Sequence, residues 1–141
     1  MEKFEKILVP LDGSKCAENI LPVVEKLASD FKASICLLRV AYAHTFPGVD
    51  PTEAEVSVVR EAEQYLQDVE KKLRDRGFEV ESHVRYGSEA DEILDHANQS
   101  DIDLIAMSTH GRSGVKRWLL GSVAEKVLRY ATKPIFLVRC T

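Results

Sequence analysis

The sequence predicts a doubly wound α/β fold. Largely apolar runs at 6–11, 35–40 and 104–107 have the length and character of strands covered on both faces, a fourth apolar run lies at 135–138, and amphipathic segments lie between them. A fifth run, 78–84, alternates apolar and polar residues. Five strands alternating with four helices imply one parallel sheet with helices on both faces, because right-handed βαβ crossovers are so strongly preferred.

The elements follow in order. Strand one, 6–11, runs into the turn residues Asp12, Gly13 and Ser14. Ala17, Ile20, Leu21, Val24, Leu27 and Ala28 then recur at helical spacing, giving a first helix over 14–30. Pro22 lies inside it and predicts either a bend or a regular helix that begins there. Strand two, 35–40, is interrupted only by Arg39. The connection 41–53 is long for a compact α/β unit, as a lid or mobile loop would be. Val56, Val59, Ala62, Leu66, Val69 and Leu73 form the apolar stripe of the next helix. Strand three has the alternation of a partly solvated edge, and a third helix over 89–98 follows.

The most informative stretch is 103–128. A buried strand ends at Met107 and breaks into a loop containing Ser108, Thr109, His110, Gly111, Arg112, Ser113 and Gly114. The loop closes on Gly121 and Ser122, with Ser122 and Glu125 at capping-box spacing before the helix-period residues Val123, Val127 and Leu128. A helix start offers unpaired amides and a positive dipole end, and glycines let oxygens approach the main chain. Arg112, Lys116 and Arg117 add positive charge, so phosphate is the anion expected here. The spacing alone fits a plain strand-loop-helix connection equally well.

Charge and composition exclude other classes. A formal net charge of −4 argues against general nucleic-acid binding, and no apolar run has signal-peptide or membrane-spanning character, so a cytoplasmic protein without nucleic-acid or membrane partners is expected. Cys16, Cys36 and Cys140 are odd in number and far apart, and are read as reduced thiols. His44, His83, His96 and His110 show no ligand spacing, so no metal site is assigned; His110 is expected to orient the loop or face solvent.

The segments Ile7 to Ser14, Val84 to Ser88, Ser108 to Ser122 and Lys133 to Arg139 resemble the universal stress protein family, and the likeness covers essentially the whole chain. ATP-binding members of that family carry Gly-x2-Gly-x9-Gly-Ser/Thr, which here reads Ser108, Gly111, Gly121 and Ser122, with serine in the first position. The resemblance implies one nucleotide-binding domain over residues 1–141 and a strand order of 3-2-1-4-5. It also implies a site for ATP with magnesium, or for AMP or another adenine nucleotide, at Asp12, Val40, Gly111, Gly121, Ser122 and Val123, with Met107, Ser108 and Gly114 beside them. In that order the last strand is an apolar edge, and a two-fold homodimer through Pro134–Arg139 would cover it.

The function expected is a dimeric ATP-binding stress-response module whose occupancy alters contact with an unidentified partner protein. Two readings compete with it. One is a slow ATP hydrolase or self-phosphorylating protein, disfavoured because there is no Gly-x4-Gly-Lys-Ser/Thr loop and no evident second carboxylate near the phosphate segment. No catalytic residue is assigned on that basis. The other is a family member that has lost nucleotide binding, for which Ser108 is the support.

Overall fold

The computed structural model describes residues 4–44, 46–99, 101–110 and 120–140. The elements are β1 (Lys6–Pro10), α1 (Lys15–Glu18), α2 (Leu21–Phe31), β2 (Ser34–Ala41), α3 (Pro51–Asp75), β3 (Val80–Tyr86), α4 (Glu89–Gln99), β4 (Leu104–Ser108), α5 (Ser122–Tyr130) and β5 (Ile135–Val138). All strand pairs are parallel, in the order β3-β2-β1-β4-β5, as expected.

The side chains of β1 alternate between two cores. Ile7 and Val9 pack with Val24 of α2 and Leu66 of α3 on one face; Leu8 packs with Ile93 of α4 and Val127 of α5 on the other. Burying each such side chain stabilises the fold by roughly 1.5–3 kcal/mol. Helices therefore cover both faces, and the largely apolar character of β1, β2 and β4 follows from that.

Two expectations change in detail, and a third is narrowed to one of its outcomes. The first helix is two helices, α1 and α2, making five in place of four among the described residues. Pro22 sits in the first turn of α2, where its missing N–H needs no intrahelical partner, so the second of the two outcomes foreseen at Pro22 is the one adopted. The connection after β2 is shorter than 41–53, because α3 already begins at Pro51, capped by the Asp50 carboxylate accepting from Thr52 N–H at 2.9 Å.

The two sheet edges differ. On β3, Glu81 pairs with Lys6 at 2.5 Å, and Arg85 reaches Glu92 at 3.0 Å and also Asp95, so the polar alternation is used for ion pairs to β1, two strands away, and to α4. Around β5, Phe136 is 41% exposed, and Leu128 and Tyr130 of α5 are exposed as well.

Candidate functional site

Strands β1 and β4 are neighbours whose crossovers run to opposite faces, so a crevice opens at their carboxyl ends. Two adjoining cavities occupy it. One, of about 210 Å³, is lined by Asp12, Met107, Ser108, Gly121, Ser122 and Val123, with Ala17, Glu89, Thr109, His110 and Ala124. The other, of about 270 Å³, is lined by Val40 with Arg39, Tyr42, His44, Val58 and Glu61. Asp12 and Glu89 line both. Neither cavity alone reaches the ~300 Å³ at the low end for ligand pockets, but the two together do.

The wall after β1 is tightly bonded. Asp12 Oδ1 accepts from Ser14 N–H at 2.9 Å and from Ser14 Oγ–H at 2.6 Å. Ser14 Oγ in turn accepts from Ala17 N–H at 3.0 Å and caps α1. Gly13 makes the turn at φ 87°, a backbone region that favours glycine. Ser108 is buried, and its hydroxyl donates to the Ala17 carbonyl at 3.1 Å. The serine in the first motif position therefore ties the end of β4 to α1 through its side chain.

The opposite wall is the start of α5. The capping box expected at Ser122 and Glu125 does not form: Gly121 is the cap residue, no side chain caps the helix, and Glu125 pairs with Arg129 at 2.8 Å. Ser122, Val123 and Ala124 are thus the first three helical residues, whose amides have no intrahelical acceptor, and all three line the first cavity. Gly121 is needed for close approach. Its N–H donates to the Thr109 carbonyl at 2.8 Å, and a Cβ at this position would lie 3.1 Å from that same oxygen.

His110 is buried rather than solvated. Its Nδ1 lies 3.1 Å from Thr109 Oγ1, and its Nε2 has no hydrogen-bond partner among the described residues. Gly111 and Gly114, with Arg112, Lys116 and Arg117, lie outside the described residues.

Three site features escaped the sequence reading. Glu89, the first residue of α4, supplies the second carboxylate that was not evident there. Arg39, only 8% exposed, lines the Val40 cavity while facing Glu61 at 3.7 Å and lying over the Tyr65 ring at 5.0 Å. Cys16 and Cys140 are joined in a disulfide, which corrects the reading of both as reduced thiols. Separation by 124 residues hides this pair in the sequence, but placing β4 beside β1 and β5 beside β4 brings Cys140, two residues after β5, next to α1. Cys140 N–H also donates to Thr109 Oγ1 at 3.3 Å. Only the Cys36 expectation holds, as a buried free thiol.

An open parallel sheet with its cleft at the β1/β4 switch point defines a doubly wound binding fold. Residues 3–139 match the Universal stress protein family, and the chain belongs to that family. A universal stress protein of Methanothermobacter thermautotrophicus is 37% identical over 146 residues, covering 99% of this chain and 98% of that one. Among solved structures, the hypothetical protein MJ0577 of Methanocaldococcus jannaschii is similar with a TM-score of 0.89 and 30% identity, over 99% of each chain. At lower identity the fold likeness extends to an Arabidopsis thaliana family member solved with AMP bound (15% identity, TM-score 0.73, 97% of this chain and 92% of that one). It extends also to a universal stress protein in complex with cAMP (19% identity, TM-score 0.65, 99% of this chain and 100% of that one).

Proposed function

We propose that the strand-end cleft binds an adenine nucleotide, ATP with magnesium first among them, and that the chain works as a nucleotide-responsive stress module. The observation that carries this reading is the first turn of α5, whose three residues with orphan amides line the first cavity together with the closely packed Gly121. The phosphates lie against Ser122, Val123 and Ala124, while the nucleoside extends past Asp12 towards Val40. Gly111 belongs to the same proposal through the family motif, and Gly114 as its neighbour in the sequence. The AMP and cAMP complexes of family members support the ligand class.

Occupancy acts by differential affinity for two states of the surface that meets a partner. Glu89 lines the same cavity as Ser122, Val123 and Ala124 and gives the phosphate end a carboxylate, so the hydrolase reading has more support than the sequence alone gave it. Calorimetric titration of nucleotide-free protein with ATP, with and without magnesium, tests the assignment: a saturable heat is expected, and no heat in either condition contradicts it.

The exposed Phe136, Leu128 and Tyr130 support a homodimer along β5. Phe136→Asp is expected to turn a dimer into a monomer in sedimentation velocity; a wild-type chain that is monomeric at every concentration removes this part of the proposal. Cytoplasmic residence is kept as part of the same reading. Among the described residues no helix is long and apolar enough to cross a membrane.

A further inference from the structure

We propose that Cys36, His83 and His96 form a binding site for a divalent transition-metal cation of the zinc class, separate from the strand-end cleft. The three come from different elements, which is why the sequence shows no ligand spacing. Cys36 lies on β2, His83 on the edge strand β3 and His96 on α4. Cys36 pairs in register with Glu81, and Leu38 with His83, so the pleat carries Cys36 and His83 to the one face that α4 covers.

The donor atoms are already gathered. One ligand atom from each residue lies within 4.8 Å of the other two. Cys36 Sγ and His96 Nε2 are 3.7 Å apart, and the His83 and His96 rings have centroids 5.0 Å apart. A sulfur at ~2.3 Å and a nitrogen at ~2.05 Å from a tetrahedral zinc would stand roughly 3.5 Å from each other. The Cys36–His96 pair therefore needs almost no movement, and His83, with its side chain 43% exposed, has room to turn inward.

A hydrogen bond between a neutral thiol and a neutral imidazole would account for Cys36 and His96 alone. Burial pushes the Cys36 thiol up to about 12, and burial, then the neighbouring His83 and Arg85 charges, hold His96 below its ordinary value. That account leaves out the second imidazole, half exposed and bonded to Glu81, whose ring centroid nevertheless stands 5.0 Å from that of His96. A bound cation explains all three groups, since its charge displaces the thiol proton to solvent and takes both imidazoles in their neutral form. One sulfur and two nitrogens favour zinc, cobalt or copper over magnesium or calcium. Glu81 Oε2, 3.3 Å from His83 Nε2, is the carboxylate neighbour that orients a ligating imidazole, with Lys6 balancing its charge. The fourth position opens at the sheet edge and takes water. Bound metal would clamp β3 and α4 onto β2.

The test uses the full chain with its Cys16–Cys140 bond intact, titrated with Co2+ under visible absorption and then displaced by Zn2+. One equivalent with a thiolate-to-cobalt charge-transfer band is expected. Cys36→Ser should remove the band, and His83→Ala should weaken Zn2+ binding by at least roughly 100-fold. Because His83 is at the surface, its variant folds even if the buried Cys36 variant does not. No stoichiometric uptake by the wild type, no thiolate band, or unchanged Zn2+ affinity in His83→Ala would each overturn the proposal.

Discussion

The two walls of the cleft are held by different means. The wall after β1 is fixed by side chains: Asp12 bonds Ser14, Ser14 caps α1, Ser108 reaches Ala17, and Cys16 is covalently tied to Cys140. The wall at α5 rests on main chain, with Gly121 packed against the Thr109 carbonyl and the three helix-start residues, whose amides have no intrahelical acceptor, lining the cavity. The difference suits a ligand with two ends. A nucleoside is distinguished by a few polar side chains in fixed places, whereas a phosphate needs several N–H donors that no Cβ obstructs.

The largest effect should come from separating the walls. The disulfide closes a loop of 124 residues, and cross-linking a chain over such a length stabilises by up to about 4–5 kcal/mol through the unfolded state. Cys16→Ser should therefore lower the urea midpoint strongly, and a midpoint equal to wild type under non-reducing conditions would show that the bond does not restrain the chain. Next is Gly121→Val. Crowding the Thr109 carbonyl displaces the α5 amides, and losing two charge-assisted hydrogen bonds of about 1.5 kcal/mol each weakens ATP roughly 100-fold. The same variant should lose affinity for inorganic triphosphate equally, and undiminished ATP affinity would take Gly121 out of the site.

Asp12→Ala should act on the other end only. About tenfold weaker ATP, the loss of one charged hydrogen bond, with triphosphate unaffected, is the expected pattern in competition titrations; equal loss for both ligands would move Asp12 to the phosphate side. Ser108→Ala is the mildest change. It deletes the bond to Ala17 and should cost about 1 kcal/mol of stability by denaturant unfolding, with ATP affinity changed less than about threefold. A large affinity loss would make the Ser108 hydroxyl a ligand contact instead of a strut.

Much of this was legible in the sequence because it depends on local pattern. Apolar runs covered on both faces mark β1, β2 and β4, and alternation marks the β3 edge. Ranges slipped where a single residue decides a boundary, as Pro22 does for α2 and Pro51 for α3. At the site, glycines and turn residues pointed to the right loops, since the backbone itself is the recognising group. What stayed hidden was whatever the sheet order assembles from distant positions: Cys16 with Cys140, Glu89 beside Asp12, and Cys36 with His83 and His96. The capping residue at α5 was also misplaced. Ser122 has cap chemistry, but Gly121 holds the extended cap conformation, at φ −66° and ψ 159°, with its N–H on Thr109.

In the proposed function the cleft holds an adenine nucleotide with its phosphates on the α5 amides. Mass spectrometry of the protein as purified, followed by titration of the stripped chain with ATP and magnesium, tests it most directly. Co-purified ATP, intact, with saturable rebinding that Gly121→Val weakens roughly 100-fold, is the result predicted, and recovery as ADP would favour the hydrolase. Protein that carries no nucleotide and gives no binding heat with ATP, AMP or cAMP would contradict it.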